Sequence, residues 1–173
     1  VHLLVDHIGN DLSRIANEVD KVILNLGDRK TITDDDIEKY VGISKEYNVF
    51  ELQNAVGKKN LSKALQIVQY FEGNPKAAPI QLVLPSLYSY FSKVFMLFGA
   101  QWDDKTVAAQ KGINAWFMKD YKSSANIYGF EGVQSALLLM HHYNLRSVGV
   151  GDVGTEDASL LKEMIYKMMM WGE

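Results

Sequence analysis

Three glycines near the C-terminus, Gly149, Gly151 and Gly154, have the G-x-G-x-x-G spacing of a dinucleotide-binding loop. In such a loop the glycines let a pyrophosphate approach the first turn of a helix that follows a strand. Here the preceding segment, Leu137 to Leu145, has the periodicity of a helix rather than that of a strand. The pattern therefore predicts an ordinary glycine-rich loop. A Walker A string is also absent, because Gly57-Lys58 lacks the upstream glycine.

Histidine is a common zinc ligand, but the histidines of this chain are poorly spaced for one metal ion. His141 and His142 are adjacent, so they point about 100° apart around a helix. His2, His7 and Asp6 do not share a helix face either, and the chain has no cysteine. We therefore expect no metal site, and we predict no catalytic or cofactor-binding residue. Because catalytic triads assemble from distant residues, the sequence leaves catalysis open.

Three consecutive aspartates, Asp34 to Asp36, also suggest a cation site. They follow Thr33 at the start of a predicted helix, where carboxylates are stabilised by the positive end of the helix dipole. Thr33 and Asp36 have the spacing of a capping box, with Asp in place of the preferred Glu. We therefore expect these carboxylates to cap a helix.

Aromatic and basic residues after Asn114 have the chemistry of a single-strand nucleic-acid site, in which bases stack and phosphates pair; they are Trp116, Phe117, Lys119, Tyr121, Lys122 and Tyr128. Their helical spacing, in an apolar run, favours packing in the core instead. The net charge of −3 and the pI of about 5.8 argue against an independent nucleic-acid binder, because phosphate contacts require clustered Lys and Arg.

Methionines dominate the C-terminal end: Met164, Met168, Met169 and Met170 precede Trp171. This segment is either the last layer of the core or an adaptable contact with another subunit. One helix face cannot hold three consecutive residues, so we expect at least one of these methionines to be exposed.

Composition indicates an ordinary globular protein, with 173 residues, 47% hydrophobic residues, 23% charged residues and three prolines. The absence of cysteine excludes disulfides and thiolate chemistry. The most apolar stretch, Ile80 to Ala100, is interrupted by polar residues and is too polar to span a membrane. The chain begins with Val1 rather than Met and has no leader pattern, so we expect a fragment.

The first part of the chain predicts a three-helix unit over residues 1–43. A helix tail over Val1 to Ile8 ends at Gly9, and Asn10 or Asp11 caps the next helix. Gly27 ends this second helix, and a short third helix runs from Thr33 to Val41. The second helix carries one apolar stripe: Leu12, Ile15, Val19, Val22, Ile23 and Leu26.

The second part, residues 44–173, predicts a bundle of longer helices. Pro79 to Phe98 is the most apolar and should be central, with a kink at Pro85 or a start at Ser86. Gly129 predicts a break between two helices. Strand-like alternation is absent, so the fold class is all-α. The other predicted helices cover Tyr47 to Val56, Leu61 to Phe71, Asp103 to Gln110, Ala115 to Ile127, Val133 to Val148 and Thr155 to Trp171.

The string from Gly9 to Lys21 resembles the lid-domain helix of the delta subunit of bacterial DNA polymerase III, the clamp-loader subunit that opens the sliding clamp. The resemblance continues in order along the chain. The glycine-rich loop from Gly149 to Gly154 departs from it. The further matching segments are Ile32-Thr33 with Asp36 to Glu38, Val41-Gly42, Tyr47 to Leu52, Asn60 to Ala64, Pro79 to Leu87, Gly112 to Tyr121 and Leu160 to Lys167.

This resemblance implies that residues 1–43 are the partial lid of an AAA+-like module and that residues 44–173 are the all-helical collar. It implies that the collar binds the gamma or tau and delta prime subunits, and that a missing N-terminal domain grips the sliding clamp. Primed DNA would be contacted only within the complex, in the cytoplasm. The delta subunit is not an ATPase of the ring, so Arg14 is expected to pair with Glu18.

The resemblance thus implies a DNA replication protein that is not an enzyme by itself, although the polymerase III holoenzyme is a nucleotidyltransferase. No cofactor is expected. Two alternatives stay open. The chain could be a helical enzyme or ligand-binding domain with a pocket beneath the Phe91 to Phe98 helix, or an independent helical DNA-binding domain.

Overall fold

The computed structural model describes Leu4, residues 12–42, Ser44, and residues 47–75, 78–99 and 117–170. These residues form seven helices and no strand, so the predicted all-α class is confirmed. None of the described helices is long and apolar enough to cross a membrane. The helices are α1 (Leu12–Asn25), α2 (Asp34–Val41), α3 (Val49–Gly57), α4 (Leu61–Gly73), α5 (Ile80–Met96), α6 (Met118–Ser147) and α7 (Asp157–Met169).

Three predicted helix features lie outside the described residues. They are the helix over Val1 to Ile8, the cap at Asn10 or Asp11, and the helix from Asp103 to Gln110.

The capping box at the start of α2 is confirmed. The Asp36 backbone N–H donates to Thr33 Oγ1 at 3.3 Å, and the Thr33 backbone N–H donates to Asp36 Oδ2 at 2.9 Å. Arg29 adds two bonds to the same carboxylate, at 2.6 and 3.1 Å. These bonds, those from Arg29 first, lower the pKa of Asp36 far below its usual range. Asp36 therefore ties the α1–α2 turn to the first turn of α2.

The apolar stripe of α1 is only half buried. Val22 and Leu26 are buried, whereas Leu12 is 79% exposed and Ile23 is 52% exposed. A small cluster packs α1 against α2, with Leu4 and Ile37 buried at its centre and Val19, Ile32 and Val41 around them. It shares no buried residue with the larger core of α3–α7. This separation supports the predicted division at residue 43, which stays a prediction.

The larger core is built around α5, as its apolar sequence predicted. Leu87, Phe91 and Val94 are completely buried, and α5 packs mainly against α6. Complete burial of such side chains contributes about 1.5–3 kcal/mol each. The side chain of Asn48 caps α3 and that of Asn60 caps α4.

Pro85 lies inside α5, so the predicted start at Ser86 is wrong. The N–H groups of Leu82 and Val83 already donate to the Pro79 carbonyl, at 2.8 and 3.1 Å. Pro85 lacks the N–H that would close the next turn, which costs about 3 kcal/mol in a helix interior. Burial of Val83, Leu84 and Leu87 on the same helix offsets that cost. A kink at Pro85 stays a prediction.

The predicted break at Gly129 is confirmed. Gly129 has φ 65° and ψ 174°, so α6 consists of two helical segments joined at this residue. Glycine tolerates this conformation because it has no Cβ. The helix predicted from Thr155 begins at Asp157, and Glu156 is its N-cap residue, with no side-chain cap bond. The Thr155 N–H instead donates to Asp152 Oδ1 at 3.0 Å.

Candidate functional site

Among the described residues, those that the sequence singled out for chemistry do not converge on one site. Gly149, Gly151 and Gly154 lie in the loop between α6 and α7, each with a positive φ. The loop follows a helix rather than a strand, as its sequence context predicted.

An ionic network attaches this loop to α7. Arg146 donates to Asp152 Oδ2 at 2.7 Å and to Glu163 Oε2 at 2.9 Å. Glu163 also accepts a 2.6 Å bond from Lys167 Nζ, and this bond, followed by the one from Arg146, lowers the pKa of Glu163 to about 2. The guanidinium of Arg146 lies 4.9 Å from the centre of the Tyr143 ring. These charged side chains therefore have a structural role, because their bonds hold the loop to α7.

The predicted core role of the aromatic cluster holds for two of its tyrosines. Tyr121 and Tyr128 are buried, whereas Phe117 is 42% exposed and Trp116 lies outside the described residues. Burial raises the pKa of Tyr128, and its hydroxyl donates to the Val56 carbonyl at 2.8 Å. These two rings are therefore not available to stack on nucleic-acid bases.

A pair of hydroxyls joins α5 to α6. The oxygens of Tyr90 and Ser124 lie 2.7 Å apart in a buried hydrogen bond, and burial raises the pKa of Tyr90. Gly57 of α3 packs directly against them, because a Cβ at this position would lie 2.6 Å from both oxygens. The sequence showed Gly57 only as a helix end and gave no sign of this contact.

The histidines and methionines have ordinary positions. His141 and His142 are exposed on α6, while His2, His7 and Asp6 lie outside the described residues. In the part of the chain that the structure describes, no three His, Asp or Glu side chains come together as a metal site. Met164, Met168 and Met169 are buried in the core and Met170 is half-buried, so the core interpretation of this segment fits better; Trp171 lies outside the described residues.

For Arg14 of α1 the sequence predicted an ion pair with Glu18. The structure shows an ion pair between Glu18 and Lys21, three residues along the same helix. The Arg14–Glu18 pair stays a prediction.

Beneath the Phe91 to Phe98 helix, where the ligand-binding alternative placed a pocket, aromatic side chains of the described residues pack on one another. Phe91 is completely buried, with its ring 5.1 Å from that of Tyr128. Phe95 and Phe98 pack on Phe130, at 5.2 and 5.6 Å between ring centres. Phe91 is therefore part of the core, whereas Phe98 and Phe130 are 38% and 49% exposed.

Two grooves lie beside the first half of α5. One, of about 480 Å³, runs between α5 and the second segment of α6. The other, of about 860 Å³, runs between α3, α5 and the start of α6. Pro85 lines both, so they meet on the outer side of α5. The sequence signal for this surface, which motif analysis missed, is the lack of any charged residue from Ile80 to Ser92.

Comparisons with known proteins confirm the resemblance that the sequence predicted. The chain is 23% identical to DNA polymerase III subunit delta of Bacillus subtilis over 170 residues, which is 96% of this chain and 47% of that protein. It also matches the solved structure of the Bacillus subtilis DNA clamp loader delta protein (YqeN), with a TM-score of 0.63 and 22% identity over 96% of this chain and 48% of that one. No protein-family model matches. The chain thus has the fold of a clamp-loader delta protein and spans about half the length of these relatives.

Proposed function

We propose that this chain acts in DNA replication as the part of a clamp-loader delta subunit that holds the subunit in its complex. The observation that carries the proposal is the match along 96% of the chain, in both sequence and fold, to proteins described as clamp-loader delta. At this level of identity the fold is shown, and the function follows as an inference from it.

In this proposal residues 44–173 form a helical collar that binds the gamma or tau and delta prime subunits. Residues 1–43 form a partial lid packed on its own small cluster. The sliding clamp would be gripped by a part of the subunit outside the matched region, and primed DNA would be contacted within the whole complex. Such a role places the chain in the cytoplasm, where the chromosome is replicated.

The chain is proposed to be non-catalytic by itself. Its polar side chains support this because their bonds serve the fold. Asp36 caps α2, Arg146 and Glu163 attach the loop before α7, and Tyr90 and Tyr128 hold helices together in the core. A scaffold of this kind requires apolar surface and shape rather than activated side chains.

The direct test is size exclusion with light scattering, on the chain alone and mixed with the gamma or tau and delta prime subunits of the same organism. A stoichiometric complex that survives physiological salt is the expected result. Separate peaks, with every subunit shown to be folded, would contradict the proposal.

Two control measurements address the alternatives. Salt-sensitive binding of the chain alone to primed DNA would favour the independent DNA binder, because phosphate contacts weaken with salt. A large rise in melting temperature with a nucleotide or metabolite would favour the ligand-binding domain. The scaffold proposal predicts neither effect.

A further inference from the structure

The groove between α5 and the second segment of α6 has the size and lining of a small-molecule site. Its volume is about 480 Å³, and no Lys, Arg, Asp or Glu lines it. Sites for small molecules typically have volumes of roughly 300–1,000 Å³ and a mostly apolar lining with a few polar groups. We call this site the α5–α6 groove and define it by Leu84, Tyr88, Leu138, Met140, His141 and Asn144.

The apolar part of the α5–α6 groove favours a flat aromatic ring. Leu84 and Met140 are buried at its base, whereas Tyr88 of α5 and Leu138 of α6 are 50% and 63% exposed along its two sides. The thioether of methionine and the ring of tyrosine both make favourable contacts with aromatic rings. An aromatic ring that lies over Met140, between Tyr88 and Leu138, would make both kinds of contact.

Three polar side chains of the α5–α6 groove are available to bind a ligand. Among the hydrogen bonds of the described residues, none involves the side chain of Tyr88, His141 or Asn144. The Asn144 amide offers both a donor and an acceptor, and the Tyr88 hydroxyl can act as either. A pure hydrocarbon would cover these groups without giving them a partner, which is unfavourable. The groove therefore favours a ligand with a hydrogen-bonding edge.

The α5–α6 groove also selects against charge. A charged ligand loses water on binding and requires an opposite charge in return, which this lining does not offer. The neighbouring groove differs, because it is lined by Glu51, Lys58, Lys93 and Asp120. The α5–α6 groove is therefore suited to a neutral molecule.

We propose that the α5–α6 groove binds a neutral aromatic molecule that carries a carboxamide or a similar hydrogen-bonding edge. The ring lies over Met140, and the polar edge bonds to Asn144 and His141. This site goes beyond the proposed function and does not depend on it. Because the sides of the groove are exposed, we expect a dissociation constant on the order of 1 mM for a one-ring probe. Binding of this strength gives no large rise in melting temperature.

The test uses benzamide and benzoate, which have nearly the same shape but differ in charge. Among the described residues that line the groove, Met140 is the only methionine. Its methyl signal in a ¹³C-methyl-methionine NMR spectrum, assigned with Met140→Leu, therefore reports on the site. We expect benzamide to shift this signal until the groove is saturated, and benzoate to bind at least fivefold more weakly. The signals of Met164 and Met168, which are buried away from the groove, should not move.

Three substitutions at exposed positions of α6 test the roles of individual side chains. Asn144→Leu removes the polar partner and should weaken benzamide binding at least fivefold. Gln134→Leu is the matched control, because Gln134 is an exposed amide that does not line the groove; its affinity should stay within twofold. Leu138→Lys adds the missing counter-ion and should reverse the preference, so that benzoate binds more tightly than benzamide. Circular dichroism melting checks that each variant is folded.

The inference is overturned if benzamide leaves the Met140 signal of the folded chain unchanged up to its solubility limit. It is also overturned if benzoate binds as tightly as benzamide, or if Asn144→Leu and Gln134→Leu have equal effects. Assembly with clamp-loader subunits is a separate measurement. A chain that binds benzamide in the groove but joins no complex would contradict the proposed function alone, and a chain that joins its complex but binds no benzamide would contradict this inference alone.

Discussion

The hydroxyl of Tyr128 on α6 donates a 2.8 Å hydrogen bond to the backbone carbonyl of Val56, one residue before the end of α3. This bond joins residues 72 positions apart, and it lies just before the break at Gly129. The same carbonyl accepts a second bond, from the Lys59 N–H at 3.0 Å. Removing the Tyr128 hydroxyl therefore takes one hydrogen bond from the buried Val56 oxygen but leaves it the bond from Lys59.

Tyr128→Phe is expected to lower the free energy of unfolding by about 1 kcal/mol, the usual contribution of one intramolecular hydrogen bond. Urea denaturation measures the change. Tyr88→Phe is the control, because the exposed Tyr88 should vary by no more than about 0.5 kcal/mol. Equal effects of the two substitutions would show that the bond to Val56 contributes nothing specific.

Two glycines that each end a helix should respond oppositely to alanine. Gly57→Ala brings a Cβ to 2.6 Å from both Tyr90 and Ser124 oxygens, in the buried junction of α3, α5 and α6. We expect a loss of about 1–3 kcal/mol, as is typical of an overpacked core. Gly73→Ala meets no atom within 4 Å, so a neutral result or a gain of up to about 1 kcal/mol is expected.

Thermal and urea unfolding of the two alanine variants measure this difference. Gly57→Ala as stable as the parent chain would mean that Tyr90 moves freely away from α3, which its buried bond to Ser124 argues against. A double variant, Gly57→Ala with Ser124→Ala, removes one of the two clashing oxygens. It should lose less stability than the two single effects combined.

Local sequence signals predicted most of the helices but not the contacts between them. The capping box of Thr33 with Asp36 and the break at Gly129 depend on nearby residues, so the sequence is sufficient to predict them. The cap at Asn48 was not predicted, because Asn48 lay inside the helix predicted from Tyr47 to Val56. The start of α5 predicted at Ser86 was wrong, because burial of the side chains around Pro85 outweighs the local helix-breaking preference of proline.

The grooved surface beside α5 depends on tertiary structure. Its two grooves bring α3 and α6 beside α5, and residues as distant as Glu51 and Asp120 line one of them. The charge-free segment was visible in the sequence, but its burial pattern was not. Only the fold shows that Tyr88 and Leu82 face outward while Leu84 and Leu87 face the core.

The carboxylate of Asp36 should stabilise the α1–α2 unit more than its neighbour Asp35 does. Both residues lie in the first turn of α2, but only Asp36 completes the capping box and binds Arg29. Asp36→Ala is therefore expected to increase amide hydrogen exchange in α2 several-fold, whereas Asp35→Ala should have little effect. Amides of α5 should be unaffected if residues 1–43 form a separate unit. Faster exchange along the whole chain would contradict that division.

The pH dependence of the same unit has a defined sign. The pKa of Asp36 is lowered in the folded chain, chiefly by the bonds from Arg29. The stabilisation by its carboxylate is therefore complete above the unfolded pKa, about 3.9, and is lost as the pH falls below it. The exchange rates of the Asp36→Ala variant and the parent chain should converge toward acid pH.

Glu163 should titrate near pH 2, well below its usual value of 4.5, because Lys167 and then Arg146 bind its ionised form. Its carboxylate thus stabilises the fold above pH 4.5, and this contribution is lost as the pH falls toward 2. With 41% of the Glu163 side chain exposed, solvent screens the pair with Lys167, so the titration is a sharper readout than stability. Lys167→Met removes the bond that lowers the pKa of Glu163 most and should raise this pKa toward 4.5, as measured by carboxylate NMR.

The control is Lys162→Met, which breaks only the ion pair with Glu72 and should leave the titration of Glu163 unchanged. A pKa of Glu163 that is the same in both variants would show that the bond from Lys167 does not hold this carboxylate in solution.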